Sequence, residues 1–133
     1  MEGCRVLLVD DDPAVLSVLE WALQDLGCRT TSALGGRAAL AGLCRESFDV
    51  MITDLIMPDL DGVRLIEKAR TLDASMKIIV MTGSPELLPG IRCSGAGMDA
   101  FMVKPFGINT LKKALWNCAQ AKDSPAALLG NGV

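Results

Sequence analysis

The sequence contains no histidine in 133 residues. That absence excludes Ser-His-Asp and Cys-His catalysis, histidine-ligated zinc, and any phosphohistidine carried by the chain itself. Cysteine is present without a useful pattern: Cys4, Cys28, Cys44, Cys93 and Cys118 are odd in number, widely spaced, and never form Cys-x-x-Cys. Neither a zinc ribbon nor a dithiol redox site is indicated, and the five read as buried or half-buried thiols of a reducing cytoplasm. Positive charge is also scarce. Thirteen Lys and Arg stand against 16 Asp and Glu, a net charge of −3, which argues against direct nucleic-acid binding. No apolar run approaches the ~20 residues of a membrane helix. The opening MEGCRVLLVDDD lacks the pattern of a signal peptide, so a cytoplasmic chain with no membrane partner is expected. Aromatic content is only 4%, yet 50% of residues are hydrophobic, enough for a real core, and the length suits one domain.

Four short apolar runs stand out, Val6–Val9, Val50–Ile52, Ile78–Met81 and Ala100–Val103. They are continuous, as in strands of a parallel sheet covered on both faces. A more polar segment, Cys28–Ser32, fits an edge strand. Helical spacing separates them. After Asp12 as N-cap and Pro13 as first helical residue, Val15, Val18, Leu19, Ala22, Leu23 and Leu26 form one face, ended by Gly27. A second helix spans about Gly36 to Arg45 and buries Ala39, Leu40 and Leu43. A third starts near Asp61-Gly62 and buries Leu65, Ile66 and Ala69. The last follows Pro105-Phe106-Gly107 with Ile108, Leu111, Leu115 and Cys118 on its stripe. Trp116 lies about 100° round from Leu115, either flanking a docking face or simply exposed. Between Ser84 and Ser94, Pro85, Pro89 and Gly90 interrupt the fourth helix, because an interior proline costs about 3 kcal/mol and a glycine about 1. A short, displaced or mobile helix is expected there. Strand and helix alternate five times, so the fold class is α/β, a doubly wound parallel sheet with right-handed crossovers. Residues from Asp123 to Val133, rich in Ala, Gly, Ser and Pro, read as a tail or truncated linker.

Ligands of an open α/β sheet collect outside the carboxyl ends of its strands. There the first run ends in Asp10, Asp11 and Asp12, the third in Asp54, the fourth in Thr82 and the fifth in Lys104-Pro105. Two carboxylates ~4 Å apart repel by ~4 kcal/mol at an effective dielectric near 20. Three together call for a cation or a raised pKa, and an all-oxygen set suits Mg²⁺. Asp12 is better explained as an N-cap than as a ligand, and Asp61 as the cap of the third helix. Gly95–Ala100 matches G-x-G-x-x-A but precedes a strand instead of following one, which argues against a dinucleotide site.

These residues in this order, Val9-Asp10-Asp11, Asp54 through Met57-Pro58 to Asp61-Gly62, Met81-Thr82-Gly83 and Lys104-Pro105-Phe106, resemble the receiver (CheY-like) domain of two-component response regulators. The resemblance spans about residues 4–121, so residues 1–121 are assigned to the receiver and 122–133 to the tail. It implies a flavodoxin-like strand order of 2-1-3-4-5 with five helices. It further implies that Asp54 accepts a phosphoryl group from phosphohistidine on a sensor histidine kinase or a histidine phosphotransfer protein. Asp11 and Asp54 would hold Mg²⁺ directly with the backbone carbonyl of Ile56, and Asp10 would act through water or hold Lys104. Lys104 would pair with a phosphoryl oxygen, Thr82 would move to another, and Phe101 would turn inward. The face of helix four, strand five and helix five would then change for an effector domain, an output protein or a phosphorylation-dependent dimer.

Two alternatives belong beside this reading. A receiver-like module that binds partners without phosphorylation is disfavoured by the complete acidic set with Thr82 and Lys104. An aspartyl phosphatase would want a second acid two residues past its nucleophile, where Ile56 stands. Ile56, and Ser84 two residues past Thr82, offer little to orient a hydrolytic water, so slow autodephosphorylation is expected.

Overall fold

The computed structural model describes residues 2–94 and 97–123. Of the tail expected over 122–133, residues 122 and 123 are the last of the described helix, and 124–133 lie outside the described residues, as do Gly95, Ala96 and the side chain of Cys93. Strands β1 (Arg5–Asp10), β2 (Arg29–Leu34), β3 (Val50–Asp54), β4 (Lys77–Thr82) and β5 (Ala100–Val103) alternate with helices α1 (Pro13–Asp25), α2 (Gly36–Arg45), α3 (Gly62–Leu72), α4 (Leu88–Ser94) and α5 (Ile108–Asp123). The sheet is parallel throughout with the expected order β2-β1-β3-β4-β5.

Side chains alternate faces along each strand, so the continuous apolar runs feed two cores. Leu7, Val9, Met51, Ile78 and Val80 pack with α2, α3 and α4 on one face. Val6, Leu8, Ile52, Ile79 and Met81 pack with α1 and α5 on the other. Fully burying each such side chain contributes roughly 1.5–3 kcal/mol. Both sides of the three central strands are thereby sealed, and only the ends of the sheet remain for chemistry.

Helix starts follow local signals. The Asp12 carboxylate accepts from the Ala14 amide at 2.9 Å and Pro13 opens α1, while Asp61 accepts from Arg64 at 2.9 Å to open α3. Gly27 takes a positive φ of 87° just past α1, a conformation that side-chain-bearing residues rarely adopt. The fourth helix is short: a 3₁₀ turn at Pro85–Leu87 precedes the seven residues of α4.

Four readings need correction. The edge strand begins at Arg29 instead of Cys28, because the Cys28 amide is still bonded to Leu23 O at the end of α1. Val18 is exposed, since the buried stripe of α1 centres on Leu16, Leu19 and Leu23 and leaves Val18 on its flank. Ile108, the first residue of α5, is also exposed. Cys44 lies exposed on α2, whereas Cys28 and Cys118 are buried, with burial pushing both thiols up to about 11.

Candidate functional site

The carboxyl edge gathers residues from the ends of four strands. Asp10, at the end of β1, is only 1% exposed. Its Oδ1 accepts from the Asp12 amide at 2.9 Å and its Oδ2 from Lys104 Nζ at 2.9 Å. Asp54 ends β3, with Oδ1 accepting from the amides of Leu55 at 2.7 Å and Ile56 at 3.4 Å, and Oδ2 from Lys104 Nζ at 3.1 Å. Lys104 follows β5 across a cis bond to Pro105, and its own amide donates to Thr82 O at 2.8 Å. One ammonium thus bridges two carboxylates that lie 44 positions apart in sequence and on neighbouring strands.

Charge explains why this ammonium stays. Partial burial lowers the Lys104 pKa, but hydrogen bonds and attraction from Asp10 and Asp54 outweigh it and hold the pKa above the usual lysine value. Asp11 projects outward beside the pair. Its carboxyl is raised by loss of surrounding water, then by the Asp10 side chain and the charge of Asp54, against a lowering contribution from its own amide. Asp10, Asp11 and Asp54 each offer an oxygen within 4.8 Å of the others. Three carboxylates against one ammonium leave excess negative charge on a hard, all-oxygen donor set, which fits a cation such as Mg²⁺.

Thr82 ends β4 fully buried, and its hydroxyl accepts from the Ser84 amide at 2.9 Å. Phe101, opposite Val80 in β5, is 43% exposed. The Ile56 side chain is exposed at the rim. Asp12 serves the helix cap.

Three roles were not foreseen from the sequence. Thr53, fully buried, donates from Oγ1 to the carbonyl oxygen of Asp54 at 2.9 Å. Asp59 accepts from the amides of Gly36 at 3.1 Å and Arg37 at 3.0 Å, so the loop after Asp54 caps the start of α2. The available signal was Gly35-Gly36, a helix start with no capping side chain of its own. Gly62 lies so close to the loop after β3 that a Cβ there would meet Asp54 O at 2.5 Å.

A parallel α/β domain whose sheet edge carries clustered aspartates bridged by a lysine defines a class of acidic-site, doubly wound domains. The chain belongs to the response regulator receiver domain family, whose model matches residues 6–116. It is similar to the virulence sensor protein BvgS of Bordetella bronchiseptica, 36% identical over 118 residues, 84% of this chain and 10% of that protein. It is also similar to the transcriptional regulatory protein TrcR of Mycobacterium tuberculosis, 31% identical over 107 residues, 80% of this chain and 42% of that protein. The chain therefore spans less than half the length of these relatives. Among solved structures, a CheY-like receiver domain protein from Methanospirillum hungatei matches with a TM-score of 0.86 and 30% identity, covering 92% of this chain and 98% of that one. TrrA of Thermotoga maritima, solved in complex with Mg²⁺-BeF, matches with a TM-score of 0.77 and 27% identity, covering 86% of this chain and 98% of that one. Receiver domains are signalling modules of two-component systems and not conventional enzymes. No helix among the described residues is long and apolar enough to cross a membrane.

Proposed function

We propose that the chain is a phosphorylation-switched receiver in which Asp54 takes a phosphoryl group from phosphohistidine on a sensor histidine kinase or phosphotransfer protein. The observation that carries this reading is the Lys104 ammonium bridging Asp10 and Asp54 within a set of three converging carboxylates. In the transfer, an Asp54 oxygen forms a bond to phosphorus as the bond from phosphorus to the donor imidazole nitrogen breaks. The Leu55 and Ile56 amides fix the plane of the attacking carboxylate, and Lys104 supplies positive charge for the incoming phosphoryl oxygens. Asp11 and Asp54, with the Ile56 carbonyl, would hold Mg²⁺, and Asp10 would help from behind while keeping Lys104 in place. When bound, Mg²⁺ neutralises charge shared between carboxylate and phosphoryl oxygens. TrrA, with Mg²⁺-BeF at hand, supports that assignment by likeness.

The switch is carried by Thr82 and Phe101. The Thr82 hydroxyl leaves the Ser84 amide for a phosphoryl oxygen, and Phe101 turns inward from its exposed position. Loss of the Ser84 tie changes the connection into α4, so the α4–β5–α5 face is read by an effector domain or output protein. Residues 1–121 form the receiver and 122–133 the tail or linker. Its setting is the cytoplasm, where the donor must be another protein, another domain or a small acyl phosphate, because the chain has no histidine.

Intact-mass analysis after treatment with acetyl phosphate and Mg²⁺ tests the reading. The expected result is a gain of one phosphoryl group that is absent in Asp54→Asn. No gain in the native chain returns the function to phosphorylation-independent partner binding. With apolar Ile56 two residues past Asp54 and short Ser84 two past Thr82, the phosphoryl group is lost slowly. A half-life of only seconds with Mg²⁺ and no phosphatase contradicts that point alone.

A further inference from the structure

Cys4 and Cys28 are distant in sequence and adjacent in the fold. Past α1, Gly27 at its positive φ turns the chain back toward the start of β1, where its carbonyl oxygen accepts from the Gly3 amide at 2.9 Å. The Arg29 amide then donates to Cys4 O at 2.8 Å, and β1 and β2 run on with Arg5 opposite Arg29. One step before a paired position on two parallel strands lies another neighbouring pair, with both side chains on one face of the sheet. Cys4 and Cys28 accordingly pack into the same core, with Val6, Leu8 and Leu23. Burial pushes the Cys28 thiol up to about 11, and Cys4 adds to this through its charge and through a hydrogen bond between the two side chains. Cys118 of α5 belongs to the same core, but the influence of Cys4 on it is one of charge.

We propose that Cys4 and Cys28 form a dithiol–disulfide couple, closed by a small-molecule disulfide of the glutathione class, that staples β1 to β2 at the end of the sheet opposite the acidic site. Access orders the chemistry, since Cys4 is half-buried and Cys28 is 6% exposed. The Cys4 thiolate attacks one sulfur of the small disulfide, whose S–S bond breaks and releases one small thiolate, which takes up a proton. Cys28 then gives its proton to solvent, and its thiolate attacks the Cys4 sulfur and expels the second small thiolate. The two cysteines lose two electrons and two protons, and the small disulfide gains both as two thiols. A high pKa keeps the Cys28 thiolate scarce but makes it a strong nucleophile, and contact with Cys4 supplies proximity. The closed ring holds all of β1 and α1, about 25 residues. Its thiols lie one strand length, roughly 20 Å, from the acidic edge. The couple therefore acts on the stability of β1, α1 and β2, and the proposal is independent of phosphoryl transfer at Asp54.

The test uses the full chain carrying Cys44→Ser, which removes the exposed thiol of α2. It is equilibrated across a graded ratio of oxidised to reduced glutathione and read by intact mass and by peptide mapping without reductant. The expected result is loss of two hydrogens, a linked peptide pair joining Cys4 to Cys28, and reversal by dithiothreitol. Closing a ring of this size should also raise the midpoint of thermal unfolding by roughly 10 °C. Cys28→Ala should stop at a glutathionyl adduct on Cys4, and Cys4→Ser should leave Cys28 unmodified. A chain that keeps both thiols at every ratio overturns the proposal, and so does a linkage from Cys4 to another cysteine. An adduct that persists on Cys4 while Cys28 is present overturns it as well, because the second sulfur then fails to reach the first. A Cys4–Cys28 linkage that leaves the midpoint unchanged overturns the stapling role.

Discussion

Two connections leave the same edge of the sheet and are built in opposite ways. The segment from Asp54 to α3 is tied at every turn. Asp54 Oδ1 holds the next two amides, Asp59 reaches across to α2, Asp61 caps α3, and the Gly62 amide donates to Leu55 O at 2.8 Å. Among the described residues, the segment from Thr82 to α4 shows one side-chain tie, from the Ser84 amide to the Thr82 hydroxyl. Its 3₁₀ turn has no capping side chain, Leu87 is exposed, and α4 carries Pro89 and Gly90 within seven residues. A site that holds a carboxylate such as Asp54 in one geometry needs the first kind of connection. Under the proposed switch, an element that changes its order when Asp54 is modified is drawn from the second, because local opening costs least where ties are few.

The largest expected effect breaks the tied side. A Cβ at Gly62 would lie 2.5 Å from Asp54 O and 2.6 Å from Leu55 Cα, both backbone atoms. Gly62→Ala should therefore cost about 1–3 kcal/mol, the range for overpacking, and slow phosphoryl uptake by shifting the acceptor loop. Urea unfolding and the rate of mass gain with acetyl phosphate check both. The same substitution on the other connection has the opposite sign. A Cβ at Gly90 meets nothing within 4 Å, so Gly90→Ala should stabilise the chain by roughly 0.5–1 kcal/mol through helix propensity. Two glycine-to-alanine changes of the same sign would remove the contrast.

Hydrogen exchange sharpens it further. Amides of 85–94 should exchange faster than those of α3 in the unmodified chain, and beryllofluoride with Mg²⁺ should alter protection in the former and little in the latter. Equal protection of 85–94 in both states would separate α4 from the site. Gly90→Ala should narrow the initial gap by the stability it adds to α4.

How far the sequence disclosed these two regions depends on whether each signal is local. Asp12 and Asp61 act on amides two and three positions ahead, so their caps are written in short motifs. Asp10, Asp54 and Lys104 were legible because each closes a continuous apolar run, and parallel strands bring such ends to one edge. The weakness of α4 was legible because proline and glycine act on their own helix. By contrast, Asp59 caps a helix 22 and 23 positions away, and only the packing of the loop against Gly35-Gly36 brings them together. Periodicity gave Val18 and Ile108 to buried stripes because it counts apolar residues and carries no information about how wide a face the sheet covers. Those two misassigned residues turn out to line a groove on the α1–α5 side.

The Asp59 contact yields the smallest effect and one with a definite sign in pH. The Arg37 amide, and then that of Gly36, hold its carboxyl below the usual carboxylate range, with local desolvation opposing. A carboxyl whose pKa is lower in the folded chain contributes stability that is fully present above its unfolded value, about 3.9, and is lost as pH falls through the folded value. Its negative charge also faces the positive end of α2. Asp59→Asn keeps an accepting oxygen but cannot titrate, so it should be slightly less stable than the native chain at neutral pH. That difference should shrink as pH drops from about 5 to below 4, because the native chain alone loses the charged contact. Thermal unfolding of both proteins across that interval measures it. A difference that stays constant, or widens toward acid, would mean that Asp59 serves the loop by hydrogen-bond geometry and not by charge, leaving Gly62 and the Asp54 amide contacts to fix the acceptor segment.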